Sequence, residues 1–244
     1  MGGFIGSTYK RGINFVNIPT TLLSMVDASI GSKTGINLSS IKNQIGLFSD
    51  PLSVIIDTQY LETLSKKEIN SGYAEIFKHS IISNSNFKKL VENPNLVYDE
   101  DIIANSIELK NKVVKEDKFE NDVRKHLNFG HTIGHAVESL FMNKKNKLLH
   151  GEAIAIGMIC ESYISNKIKG LELSKANKIK THLNKFFNKV SFSKKDIEEI
   201  CNLIKYDKKN HLNIPKFVLL KDLGLVVSNV DVDLNLIADS FDYY

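Results

Sequence analysis

The chain reads as an α/β segment followed by an all-α domain, with the change near residue 64 of 244. Three observations predict this. Two β-rich runs, Ile13–Pro19 and Pro51–Thr58, sit in the first part, separated by small-residue, turn-rich chain. From Lys66 to Lys205, Leu, Ile, Val and Phe recur at helical spacing, and Pro94 is the one proline in that span. Within that span, Gly130-His131-Thr132-Ile133-Gly134-His135 repeats a Gly-His pair at one helical turn, a pattern that costs helix propensity and needs a chemical reason.

Taken in order, Gly2 to Tyr9 reads as a helix with no strand before it. Ile13–Pro19 reads as a short strand stopped by Pro19, and Thr20 and Thr21 can cap the turn that follows, Leu22 to Val26. Asp27–Asn37 is a small-residue loop with one acid, Asp27, and one lysine, Lys33. It suits either a nest of N–H groups for an anion or an ordinary turn-rich connection, and it lacks P-loop spacing. Lys42-Asn43 reads as another polar turn. Pro51–Thr58 reads as a buried strand ending in a polar turn.

The helical part contains a strong helix over Ser106–Lys115 and a polar loop over Glu116–Lys125. The His131 helix follows. Asn143–Lys147 reads as a solvated basic loop, and Leu171–Lys195 carries lysines at the spacing of a surface helix. Near the end, Lys216–Leu220 and Leu223–Val227 read as a β-hairpin.

Composition bounds the function. Hydrophobic residues make up 42% and charged residues 25%, as in an ordinary globular protein. A net charge of +4 with scattered lysines does not suggest a nucleic-acid binder. Cys160 and Cys201 form no C-x-x-C pair, so they read as reduced core thiols of a cytoplasmic protein. The apolar run 153–160 is too short to span a bilayer.

The chemistry concentrates at three places. His131 and His135 share one helix face. Fifteen residues after His135 comes His150-Gly151-Glu152, a histidine opening an apolar helix. Upstream, Tyr73-Ala74-Glu75-Ile76-Phe77-Lys78 sets a carboxylate and a lysine one turn apart in an apolar segment. Two or three imidazoles with a carboxylate suit Zn²⁺ or Co²⁺, with positions open to substrate oxygens. The other reading is histidines in the core or at helix ends.

In combination these motifs closely resemble the 3-dehydroquinate synthase family. The resemblance runs through Thr8–Gly12, Pro19–Leu23, Asp27–Asn37, Gly72–Lys78, Arg124–Glu138, His150–Gly157 and Asp207–Lys209. It implies a Rossmann-like NAD-binding half, of which residues 1–64 would be the C-terminal remnant, and a helical metal- and substrate-binding half over 65–244. It implies conversion of 3-deoxy-D-arabino-heptulosonate 7-phosphate to 3-dehydroquinate with loss of phosphate, in the shikimate pathway, with NAD and zinc or cobalt. It also implies a homodimer. The metal ligands would be Glu75, His131 and His150. Glu120 and His135 would handle protons, with Lys110 and Arg124 also at the reacting centre. Asp27, Lys33, Asn43, Lys78, Asn128 and one of Lys208 and Lys209 would contact the anionic substrate, and Arg11 would reach the neighbouring subunit's phosphate site. Thr20, Thr21, Lys42 and Thr63 would lie near the NAD.

Two departures stand out. The family's glycine-rich turn for the NAD pyrophosphate, G-G-G-x-x-G-D, has no match here, so a truncated copy acting with a missing N-terminal half is expected. The spacer between His135 and His150 is longer than the family's. Alternatives are a related sugar-phosphate cyclase that makes an inosose or valiolone, and a non-catalytic metal-binding remnant.

Overall fold

The computed structural model describes residues 1–38, 41–142, 144–205 and 216–244, and the backbone alone at 37, 38 and 41–43. The chain begins with helix α1 (Gly2–Thr8) and strand β1 (Val16–Asn17). Strands β2 (Lys33–Leu38) and β3 (Ile41–Phe48) follow, then β4 (Ser53–Val54). Helices α2 (Lys66–Ser83), α3 (Phe87–Glu92), α4 (Glu100–Glu116), α5 (His131–Phe141), α6 (His150–Lys169), α7 (Leu173–Leu183) and α8 (Lys194–Lys205) come next. A hairpin of β5 (Lys216–Asp222) and β6 (Leu225–Asp231) and helix α9 (Leu234–Tyr243) complete it. The architecture is mixed α/β and mostly helical, with four strands among the first 54 residues and a β-hairpin after α8.

The first part differs in detail from its reading. β1 and β4 pair in parallel, Val16 opposite Ser53 and Asn17 opposite Val54. The strand expected to be buried over Pro51–Thr58 shrinks to those two residues, and Leu52 and Ile55 are exposed. The loop read over 27–37 is in its second half an antiparallel strand: β2 pairs with β3, Ile36 opposite Ile45 and Thr34 opposite Leu47. Lys42-Asn43, read as a turn, lies on the backbone of β3. Small and polar residues in both strands hid the alternation, and Ile45 and Phe48 face outward, so no buried stripe marked it.

Two helices form the centre. α2 is capped by Ser65, whose hydroxyl accepts the Glu68 N–H at 3.3 Å, and ends at Asn84 in the left-handed region. From Ser71 to Ile82 every residue of α2 is buried, and α6 is buried from Ala153 to Ser162. Both are surrounded by other elements, and α2 buries polar side chains as well as apolar ones. α5 lies against α6, and Gly157 makes that approach possible. A Cβ there would fall inside the van der Waals shell of the Gly130 carbonyl. Behind α2, the Tyr73 hydroxyl meets His182 Nε2 at 2.9 Å, and the His182 ring stacks on Phe77 with centroids 4.3 Å apart. Cys160 is buried and Cys201 half-buried, both as free thiols. Among the described residues, no helix is long and apolar enough to cross a membrane.

Candidate metal centre and cleft

Glu75 lies in the middle of α2 with no solvent exposure. A carboxylate there must be compensated, because transferring a bare charge from water is costly. Lys78, one turn on and also buried, forms an ion pair with its Oε2. Among the described residues, its Oε1 is a buried oxygen without a hydrogen-bond partner. Two imidazole nitrogens face that oxygen: His150 Nε2 at 3.4 Å and His131 Nε2 at 3.6 Å. The three ligand atoms lie within 4.8 Å of one another. An orphaned carboxylate oxygen facing two imidazole nitrogens is the donor set a borderline divalent ion requires, so the residues fit zinc or cobalt.

The local sequence aims each ligand. His131 opens α5, and its Nδ1 lies 3.1 Å from the Phe129 carbonyl. His150 opens α6, where the Leu149 N–H donates to Glu152 at 2.6 Å and the Gly151 N–H donates to Ser71 Oγ at 3.0 Å. Its Nδ1 sits 3.3 Å from Glu138 Oε2. Each imidazole thus presents Nε2 to Glu75 and turns Nδ1 to an oxygen acceptor, the usual way a ligand ring is fixed. Burial, then the charge of Lys78, holds His131 well below the ordinary imidazole value, which keeps a lone pair on the ring. At His150 burial acts the other way, yet the Glu138 and Glu75 carboxylates push the ring up to about 9. Burial alone would raise the Glu75 carboxyl, but Lys78 and the two imidazoles hold it well below the usual range.

A second array adjoins the first. Lys110 from α4 forms an ion pair with Asp27. Burial opposes ionisation of Asp27, but Lys110 brings its carboxyl down to about 2. His79, one turn beyond Glu75, contacts Ser106 Oγ through Nδ1 at 2.6 Å. Burial, then Lys78, lowers His79 to about 3, so it stands neutral among these charges.

A cleft of about 420 Å³ opens beside the centre, lined in part by Glu120, Asn128, His131 and His135. Glu120 pairs with Lys33 and accepts a hydrogen bond from the Asn128 amide. Asp117 folds this loop by accepting N–H groups of Asn121, Asp122 and Arg124 at 3.0, 2.7 and 3.1 Å. His135 lies exposed at the rim, its ring centroid 5.1 Å from His131.

The structure therefore brings together Glu75, His131, His150, Lys78, Asp27 and Lys110, and sets Glu120, Asn128, Lys33 and His135 at the adjoining cleft. Arg124 is buried nearby and donates to the backbone carbonyls of Gly31, at 2.9 Å, and Lys118. Arg11, Thr20 and Thr63 are exposed in the first part, and Thr21 bonds Ser24. Lys208 and Lys209, and the side chains of Lys42 and Asn43, lie outside the described residues. The sequence reading did not single out Glu138, His79, or the cleft residues Lys125, Lys216 and Asn229. Glu138 could have been found, since it sits one turn beyond His135 on the ligand helix. The hairpin residues reach the cleft only through tertiary packing.

Residues 72–210 match the family described as 3-dehydroquinate synthase C-terminal, and residues 1–71 match 3-dehydroquinate synthase N-terminal. The chain is 42% identical over 249 aligned residues to the 3-dehydroquinate synthase of Parabacteroides distasonis, covering 100% of this chain and 70% of that protein. It is 40% identical to the one from Streptococcus thermophilus, covering 94% of this chain and 66% of that protein. For the Nitratiruptor synthase the identity is 42%, with 92% of this chain and 64% of that protein covered. The chain thus spans about two thirds of the length of these relatives. Among solved structures, a 2-deoxy-scyllo-inosose synthase complexed with carbaglucose-6-phosphate, NAD⁺ and Co²⁺ superposes with a TM-score of 0.85 at 26% identity, over 98% of this chain and 69% of that one. A 2-epi-5-epi-valiolone synthase from Streptomyces hygroscopicus with NAD⁺ and Zn²⁺ bound shares the fold, with a TM-score of 0.87 at 24% identity over 98% and 68% of the two chains.

Proposed function

The chain belongs to the 3-dehydroquinate synthase family, and from that premise we propose that it serves the conversion of 3-deoxy-D-arabino-heptulosonate 7-phosphate to 3-dehydroquinate and phosphate. This is a carbon–oxygen lyase reaction. The observation that carries the reading is the buried Glu75 oxygen facing two imidazole nitrogens beside a cleft with paired cations. The likeness to the inosose and valiolone synthases is 26% and 24% identity, against 42% for the dehydroquinate synthase, which favours the latter substrate.

Glu75, His131 and His150 would hold zinc or cobalt, which when bound polarises adjacent substrate hydroxyls as a Lewis acid. NAD, when bound, would accept a hydride and return it. The chain's own residues orient and charge the site. The Phe129 carbonyl and Glu138 fix the two rings, and Lys78 keeps Glu75 ionised. Elimination of phosphate needs a base for the C–H beside a ketone. We assign that proton handling to Glu120, held ready by Lys33 and Asn128, together with His135 at the rim. Lys110 and Arg124 belong to the same reacting region. Asp27, Lys33, Lys78 and Asn128, with Asn43, Lys208 and Lys209, are assigned to the substrate's phosphate, carboxylate and hydroxyls, for which clustered cations are suited.

The remaining assignments follow the resemblance. Residues 1–64 serve as part of an NAD-binding domain, with Thr20, Thr21, Lys42 and Thr63 near the dinucleotide, and 65–244 as the metal- and substrate-binding domain. The protein acts as a cytoplasmic homodimer in which exposed Arg11 reaches the neighbouring phosphate site. Turnover needs a further segment to supply a glycine-rich turn for the pyrophosphate.

The test is phosphate release from the heptulosonate phosphate with NAD and Zn²⁺. Residues 1–244 alone are expected to be near background, and to gain activity when the N-terminal segment of the Parabacteroides relative is added. Strong turnover by the chain alone contradicts the need for that segment. No turnover in either arrangement contradicts the lyase reading.

A further inference from the structure

Helix α5 carries His131 and His135, yet it starts poorly. Its N-cap is Gly130, at φ 81°, which offers no side chain to the first-turn N–H groups. Such donors are costly when buried without acceptors. Here they are met from another helix. Glu161 of α6, with no solvent exposure, accepts the Gly130 N–H on Oε2 at 2.6 Å and the Ile133 N–H on Oε1 at 3.1 Å. A Cβ at position 130 would come within 2.5 Å of Met158 Cγ, so a side-chain cap on α5 itself has no room.

The consequence lies in what the two helices carry. His131 directly follows the residue whose N–H Glu161 holds, and His150 is the first residue of the helix that bears Glu161. We propose that Glu161 is a positioning residue for the metal centre: it locks the first turn of α5 onto α6 and so sets the spacing of His131 and His150 around Glu75. The proposal rests on the metal reading given above. A carboxyl group suits this place because each of its two oxygens accepts one of the N–H donors. A glutamine would keep the shape but turn an NH₂ group toward one of the two donors.

The measurement is a Co²⁺ titration followed by the visible spectrum of the bound ion. Glu161→Gln is expected to bind Co²⁺ about 10- to 100-fold more weakly, as for other outer groups that orient ligands, with an altered spectrum. Ile179→Ala, in the core of α7, supplies a control that loses stability while keeping the wild-type affinity and spectrum. Wild-type affinity and spectrum in Glu161→Gln would overturn the proposal. Absence of Co²⁺ binding by the wild-type chain would instead contradict the metal reading. Amide exchange in the wild-type chain decides the clamp by itself, even if the variant does not fold. Gly130 and Ile133 are expected to exchange slowly, and fast exchange typical of a frayed helix start overturns the clamp.

Discussion

Glu75 and Lys78 are both buried, so neither charge has water to fall back on. Removing Lys78 leaves the buried Glu75 charge only the His150 imidazole, at 3.4 Å, to offset it. Lys78→Ala is therefore expected to cost about 3–5 kcal/mol in the metal-free protein, read by urea unfolding. A loss within a few tenths of a kcal/mol would mean that the pair is solvated. Metal should recover part of that loss, since a bound cation replaces the missing charge beside Glu75. Glu138 acts at one remove, through His150 Nδ1. Glu138→Gln is expected to weaken metal binding by about 10- to 100-fold with little change in melting temperature, and equal affinity would show that the contact does not orient the ring.

At the scale of elements, the seam between α5 and α6 is where the site is set. Gly157→Ala would push a methyl group against the Gly130 carbonyl. The expected cost is about 1–3 kcal/mol or more, with weaker metal binding, because the helix that carries His131 must retreat. An unchanged melting temperature would show that the seam yields freely. This element pair was legible in the sequence, since Gly-His at one-turn spacing followed by His-Gly-Glu is improbable without a close helix crossing and a ligand. The β5–β6 hairpin was legible too, from its apolar runs flanking Gly224. The β2–β3 hairpin was not, because Thr34, Gly35 and Gly46 carry no alternation that a buried face would impose. Nor was the Glu161 contact, which joins residues 31 apart in sequence that meet only through packing. Ligand type could be read from residue chemistry, whereas the groups that aim the ligands depend on which helices touch.

Across the whole molecule, stability should depend on pH through buried neutral imidazoles, His79 and His182 among them. Burial lowers His79 to about 3 and His182 to about 4, against an ordinary 6.5. As pH falls below about 6.5 the unfolded chain takes up protons that the folded chain refuses, so the folded state loses stability down to pH 3–4. The slope is at most about 1.4 kcal/mol per pH unit for each ring. His182→Phe is expected to flatten the melting-temperature profile between pH 4 and 6.5. A profile as steep as the wild type would assign the acid loss to other groups. The same fold gathers Glu75, His131 and His150 from helices α2, α5 and α6 into one constellation, and the function proposed here depends on that convergence. Metal content after purification in Zn²⁺ and dialysis tests it most directly, by comparing the wild-type chain with His131→Ala and His150→Ala. One zinc per wild-type chain, with depletion in both variants, is predicted. Full metal content in both variants would contradict the site.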